Sequence, residues 1–340
     1  MSRPLLEFVT RRCIERQDNI SLHSRCRVVE FLTSPDQTAV KGIRYDDAEG
    51  RASILPSDLV LDASGRGALT LALLETIGAS KPQETEIGVD IAYASAIFEI
   101  PGDRPFPWKG LIHLPLSPDS SRGAFLLPIE NRQWIVSLGE AHGDGPPGDI
   151  EGFMAFAEGL RTSTLYDAIK TATPVGTIAR FSFPSSVRRH FEALERFPRG
   201  LIPIADAFCR FNPTFGQGMT VAAQEACVPD RLLDERRGLA DPLDGLAQVF
   251  FAAIQGLLDA PWGVAENDFI YPQTRGQRPA DFDRRVQYAI ALTRLAAEDP
   301  SVHKLLAEVN GLVKQPAVLR EQQLADRVVQ LMKPPVQAAD

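Results

Sequence analysis

The sixteen residues 204–219, I-A-D-A-F-C-R-F-N-P-T-F-G-Q-G-M, constrain this chain more than any other stretch. They read as the end of a short apolar strand over 200–207 that stops at the carboxylate of Asp206. A loop through Pro213 follows, then a glycine-flanked turn that opens a helix over 220–235. A carboxylate at the C-terminal end of a strand sits where open α/β sheets bind ligands, and it can accept from a ribose-type hydroxyl. Gly216 and Gly218 have no Cβ, so their backbone can approach a flat ring or a phosphate. A helix starting near Met219 turns free N–H groups and the positive end of its dipole toward that ligand. The two glycines alone would first be read as a tight turn. The segment as a whole says more.

A second segment has the same grammar. Residues 58–62, D-L-V-L-D, form an apolar run suited to a buried strand of a parallel sheet, and they stop at Asp62-Ala63-Ser64-Gly65-Arg66-Gly67. Gly65 allows close backbone approach, and Arg66 is a permanent cation whose fork matches a phosphate. A helix over 68–77 follows, ended by Gly78. Upstream, Leu5, Leu6, Val9, Cys13 and Ile14 recur at helical spacing. Short β-rich runs at 20–23, 27–32, 39–45 and 52–55 suggest an antiparallel meander.

Between the two motifs the pattern changes. Runs at 87–100, 123–138 (broken near residues 130–132) and 175–183 read as strands, and 149–160 reads as a helix. Together they predict a separate antiparallel sheet with helices on one face. Beyond Asp241 the chain is helical in character, over 243–258, 280–298, 301–313 and 319–332. Arg188-Arg189-His190-Phe191-Glu192 reads as a solvated or structural turn, and Trp134 as a packing residue.

Composition excludes several classes. The 340 residues carry a net charge of −8, which disfavours nucleic acid and anionic membrane as partners. Cys13, Cys26, Cys209 and Cys227 are widely spaced and read as isolated buried thiols, not a disulfide framework. The five histidines show no metal-ligand spacing, so no metal is expected. The longest apolar stretch, 249–258, is too short to span a bilayer. With no signal-peptide pattern at the N-terminus, a cytoplasmic setting is expected. No G-x-S-x-G elbow, P-loop or G-W-x-W-x-I-P run occurs.

Residues 204–219 resemble the G-D-A…N-P…G-Q-G-M motif of the FAD-dependent aromatic-hydroxylase-like monooxygenases, except that Ala205 stands where the pattern begins with glycine. Residues 62–66 resemble the D-A-S-G-R motif of the same enzymes, and Ser2-Arg3-Pro4-Leu5-Leu6-Glu7 resembles their S-R-x-x-L-E helix opening. Trp262, Asp268 and the run 275–279 resemble the C-terminal cap of one bacterial subfamily. The resemblance spans 3–329. It implies an α/β fold: a Rossmann-like FAD-binding core (1–85 and 199–240), an inserted antiparallel substrate domain (86–198) and a helical C-terminal region (241–340). It implies FAD as cofactor, with Arg3, Asp62, Gly65, Arg66, Asp206, Pro213, Gly216, Gln217, Gly218 and Met219 as cofactor-binding residues. NAD(P)H would be the reductant, O2 the co-substrate, and a small apolar or aromatic molecule the substrate, hydroxylated or epoxidised near Tyr93, Phe125 and Phe215. The chemistry would be the flavin's, with no obligatory acid–base residue. Two alternatives stand beside it: a flavin-dependent reductase of the same fold, and a non-catalytic remnant or binding protein.

The first βαβ unit of such a core, with its G-x-G-x-x-G loop, is not found. Gly65-Arg66-Gly67 lacks the third glycine and the spacing to replace it. A start at an internal methionine of a longer protein and a naturally shortened paralogue are both compatible with this pattern.

Overall fold

A computed structural model describes residues 1–102 and 106–332. Residues 103–105 of the expected middle block and 333–340 of the expected helical region lie outside the described residues. The chain opens with helix α1 (Arg3–Ile14), started by Ser2, whose Oγ accepts from the Leu5 N–H, and by Pro4 in the first turn. No residue of α1 is buried. The Ser2 backbone N–H and hydroxyl both donate to the Glu130 carboxylate, so the helix start is tied to a distant turn.

Strands β1 (Arg27–Thr33), β2 (Val40–Asp46) and β3 (Ala52–Pro56) form the expected antiparallel meander. Residues 20–23 do not join it. Ile20 and Leu22 are exposed, and a strand without a neighbour has nothing to satisfy its backbone groups. Strand β4 (Val60–Asp62) pairs in parallel with β10 (Leu201–Pro203), placing Asp62 opposite Pro203. Among the described residues this parallel sheet has two strands. Asp62 is buried, but Leu61 remains 42% exposed, so the fully buried strand expected over 58–62 is not realised. A two-stranded sheet has no further neighbours to bury both faces.

Helix α2 (Ala68–Thr76) follows β4. The large sheet is antiparallel and seven-stranded, in the order β11–β9–β5–β8–β7–β6 with β12 also on β5. Its strands are β5 (Glu84–Glu99), β6 (Leu111–His113), β7 (Gly123–Ile129), β8 (Gln133–Ala141), β9 (Pro174–Arg189), β11 (Cys209–Arg210) and β12 (Arg275–Gly276). Alternation along the strands sorts its faces. Ala94, Ala96 and Phe98 of β5, with Trp134, Val136 and Leu138 of β8, pack under α3 (Ile150–Glu158) and α4 (Thr164–Ile169). Trp134 is buried against Trp108 and Phe106, as its strand position implied. The opposite face carries Tyr93, Ser95 and Ile97, and in register with them Phe125, Leu127, Ile135 and Phe181.

Strands β11 and β12 come from outside the middle block and still pair onto this sheet. The C-terminal half is otherwise helical: α5 (Gly218–Glu235), α6 (Leu246–Ala265), α7 (Phe282–Glu298), α8 (Pro300–Asn310) and α9 (Gln322–Met332). Helices α7–α9 share a small apolar cluster of their own around Leu292, Leu295, Val302 and Val328. Helix α6 does not. It buries Phe250, Phe251, Ile254 and Leu258 in the same core as β10, α5 and the near ends of β5 and β9. Of the four cysteines only Cys209 is buried, which corrects the expectation of isolated buried thiols. Cys13 and Cys227 are exposed, Cys26 is half-exposed, and all four are free.

Candidate functional site

Because β4 and β10 are parallel neighbours, the two sequence motifs end side by side at the C-terminal edge of one sheet. The Ile204 N–H donates to the Asp62 carbonyl at 3.0 Å. Gly67 lies so close to the second motif that a Cβ there would meet the Ala207 carbonyl at 3.0 Å. Such a convergence of strand ends is where open α/β sheets take ligands.

In the first motif Asp62 is spent on the turn itself. Its Oδ1 accepts from the Ser64 N–H at 3.0 Å and its Oδ2 from the Thr70 hydroxyl at 2.5 Å. Gly65 has φ +85°, a left-handed conformation, and nothing stands within 4 Å of where its Cβ would be. Arg66 is exposed, and among the described residues its guanidinium has no hydrogen bond or ion pair.

In the second motif Asp206 is not the last residue of the strand. β10 stops at Pro203, and Asp206 lies in the 3-10 turn Ala205–Ala207, three residues further on. The cause is backbone geometry: Ala205 takes φ +53°, which no strand accommodates. The residue that departs from the glycine-led pattern is therefore the one that needs glycine's freedom. Its N–H donates to Glu225 Oε2 at 2.6 Å. We expect Ala205→Gly to stabilise the protein by about 0.5–1 kcal/mol, the left-handed penalty less the extra freedom of unfolded glycine. Urea denaturation of the two chains reads this directly, and a destabilised variant would show that the turn relaxes without strain.

Asp206 keeps contact with solvent, yet the surrounding protein displaces enough water to push its carboxyl above the ordinary range. Arg210 and Arg3 pull it back. These influences place Arg3 of α1 and Arg210 of β11 around one carboxylate, and Arg66 of the first motif beside Arg210. Arg189 completes the cluster from beneath. It is buried, donates to the Ala207 carbonyl at 2.9 Å and pairs with Glu84 at 2.8 Å. Its neighbour Arg188 donates to Gln255 and Asp259 of α6. Residues 188–189 are thus the structural end of β9, not a solvated turn.

The loop beyond is the 3-10 turn Pro213–Phe215, closed by Gly216 at φ +66°. Helix α5 opens at Gly218, one residue before the expected Met219, and its Gln217 cap makes no side-chain capping bond. Open space stands at the Cβ positions of both Gly216 and Gly218. Gln217 is buried and donates to the Asn310 carbonyl at the end of α8 (3.0 Å), so its side chain anchors the turn, while Met219 is 56% exposed. Pro213 is exposed at the start of its turn. The site therefore combines two left-handed glycine turns, an uncapped helix N-terminus, exposed Arg3 and Arg66, and the Asp206 carboxylate. This arrangement can hold a phosphorylated, hydroxyl-bearing ligand with a flat ring against bare backbone.

Tyr93 reaches this loop from the large sheet. Its hydroxyl donates to Asn212 Oδ1 at 3.0 Å and lies 2.5 Å from Thr214 Oγ1, beside Phe215. Phe125 occupies the same sheet face two strands away, so Tyr93 and Phe125 border one open apolar surface. A cleft of about 300 Å³ lined by Ala96, Ile97, Ile150, Val175 and Ile178 contains none of these residues.

Glu225 was missed in the sequence, although a signal existed. It stands on the buried stripe Val221–Glu225–Val228–Leu232 of an amphipathic helix, where an acid is out of place. Asn212 and Asp268 were missed as site residues because their partners are remote in sequence.

No family model matches this chain. "Protein Rv3254" of Mycobacterium tuberculosis is 35% identical over 231 residues, 66% of this chain and 48% of the relative. The chain thus spans about half the length of the curated relative it matches. Among solved structures, the flavin-dependent brominase Bmp2, in a triple-mutant form, superposes with TM-score 0.54 at 18% identity, covering 95% of this chain and 75% of that one. The anhydrotetracycline hydroxylase OxyS of Streptomyces rimosus gives 0.52 at 17% identity, over 90% of this chain and 55% of the other. A flavoprotein/dehydrogenase of Cytophaga hutchinsonii gives 0.56 at 12% identity, over 90% and 68%. The chain has the fold shared by these flavoproteins.

Proposed function

We propose that this chain binds FAD at the paired strand ends and serves a flavin-dependent monooxygenase that uses NAD(P)H and O2 to hydroxylate or epoxidise a small apolar or aromatic molecule. The observation that carries this reading is the joining of the two motifs at paired strand ends, where Ile204 bonds the Asp62 carbonyl and Gly67 lies against Ala207 beside Asp206, together with the open space at Gly65, Gly216 and Gly218 and the uncapped start of α5. Each part suits one part of the cofactor. Asp206 accepts from a ribitol hydroxyl. Arg3 and Arg66 offset pyrophosphate charge, and Gly65 lets the backbone approach it. Gly216 and Gly218 admit the flat ring, and the N–H groups of α5 face its electron-rich edge. Asp62, Pro213 and Gln217 act through the turns they hold, and Met219 flanks the ring site from the surface of α5. When bound, FAD supplies the redox and oxygen chemistry.

The remaining task of the chain is to place substrate and exclude water. The open face of the large sheet, with Phe125, Ile135, Leu127 and Phe181 beside Tyr93, offers an apolar bed next to the ring site. It favours a flat apolar molecule with few polar groups. Among the described residues no helix is long and apolar enough to cross a membrane.

The deciding experiment is an absorbance spectrum of the purified chain before and after excess FAD. Stoichiometric retention of flavin bands supports the reading. A chain that stays colourless after gel filtration sinks it for these 340 residues. If flavin is retained, oxygen uptake coupled to NAD(P)H oxidation separates a monooxygenase from a reductase of the same fold.

A further inference from the structure

Three groups from three separate parts of the chain converge on the side chain of Asn212. Its Oδ1 accepts from the Tyr93 hydroxyl of β5 (3.0 Å) and from the Thr214 N–H (3.1 Å). Its Nδ2 donates to Asp268 Oδ2 (3.0 Å), in the 3-10 turn Glu266–Ile270 that follows α6. Its backbone N–H donates to the buried Ser186 hydroxyl at 2.9 Å. The Thr214 hydroxyl closes the ring with Tyr93 at 2.5 Å. The amide orientation is forced, because a flip would set the NH2 group against a hydroxyl donor and an N–H, and the oxygen against a carboxylate.

Asp268 is costly to keep here. Burial pushes its carboxyl up to about 6, opposed by the Asn212 bond, and among the described residues no cation acts on it. Its other ionisable neighbours are Tyr93 and Tyr271, both pushed up by burial and by the Asp268 charge; His142 stands at one remove, through Thr274. A carboxylate placed without a counter-ion and aimed at one amide polarises that amide. It strengthens both bonds that Oδ1 accepts.

We propose that Asp268 is a positioning residue for the flavin-facing turn: through the Asn212 carboxamide it holds residues 212–218 in the geometry that presents Gly216, Gly218 and the start of α5. This inference rests on the flavin reading and extends it to a side chain of the helical region that meets the turn through Asn212. Asp268 works as an external clamp. Asn212 is the joint, and Tyr93 links the joint to the face on which substrate would lie.

Hydrogen exchange read by mass spectrometry on the full chain tests this without any cofactor. In Asp268→Ala, amide exchange in peptides covering 212–219 rises about tenfold, while peptides from β7 and β8 are unchanged. Asp268→Asn, whose carboxamide oxygen can still accept from Asn212 Nδ2, restores exchange to within about threefold of the parent. Exchange in Asp268→Ala within twofold of the parent overturns the proposal, as does an asparagine variant as open as the alanine one. Should the alanine variant not fold, the parent chain alone decides. The Asn212 side-chain amide resonance must move as Asp268 titrates near pH 6, and an amide that stays still across that range overturns the clamp. FAD titration of the same variants is read separately. A parent chain that takes no FAD defeats the proposed function, while the exchange result still decides whether Asp268 holds the turn.

Discussion

Phe251→Ala is expected to cost about 4 kcal/mol of stability, the range for removing a fully buried phenylalanine from a close-packed site. Phe251 is 1% exposed at the centre of an aromatic knot. Its ring lies 5.0 Å from Phe197, 5.5 Å from Phe208 and 5.6 Å from Phe191, centroid to centroid. Those partners come from the approach to β10, from the residue two beyond Asp206, and from the short turn after β9. The knot therefore joins α6 to the backbone of the candidate site, and a cavity at Phe251 loosens both. Urea unfolding should show one shifted transition with an unchanged slope, because the same surface is still exposed on unfolding. A loss below about 1 kcal/mol would mean that α6 packs on the core as a detachable layer. Flavin retention, if the parent chain shows it, should weaken in parallel, since Phe208 anchors the Asp206 turn.

Glu225→Gln is expected to stabilise the protein above neutral pH and to change little in acid. Glu225 is fully buried in α5, and burial pushes its carboxyl up to about 7, with the neighbouring Asp206 charge adding to the rise and the Ala205 N–H bond opposing it. Its Oε1 has no partner among the described residues. A carboxyl raised in the folded state binds its proton more tightly there than in the unfolded chain. Its contribution to stability is complete below the unfolded value of about 4.5 and is lost as pH climbs through 7. At about 1.4 kcal/mol per unit, the parent should lose about 2 kcal/mol more than the variant between pH 5 and pH 8. Glutamine keeps the acceptor for the Ala205 N–H and removes the ionisation. Melting temperatures of the two chains at pH 5 and pH 8 read the difference directly. A constant gap would show that Glu225 stays charged or solvated in the fold. The buried acid sits directly under the turn that carries Asp206, so the variant also reports whether its proton matters for ligand capture.

Local chemistry determined much of this protein from the sequence alone. The meander, the helices and the paired strands of the large sheet follow from periodicity and turn residues, which act over a few positions. So do the glycine turns at Gly65 and Gly216, since a left-handed backbone favours glycine. The departure at Ala205 was visible as a mismatch, but only its φ of +53° shows what the mismatch costs. The tertiary structure decided everything that depends on a partner far along the chain. Residues 20–23 have strand-like composition and no neighbouring strand, so they form none. Asp206 sits beyond its strand because the Ala205 turn is pinned by Glu225, twenty residues later. Arg3 and Arg210 share the Asp206 carboxylate, with Arg66 beside Arg210, only because α1, the first motif and β11 are brought to one edge. Asp268 clamps Asn212 across fifty-six positions. No periodicity records such a pairing, because a hydrogen bond between side chains depends on where two backbones meet and not on what lies beside either of them in sequence.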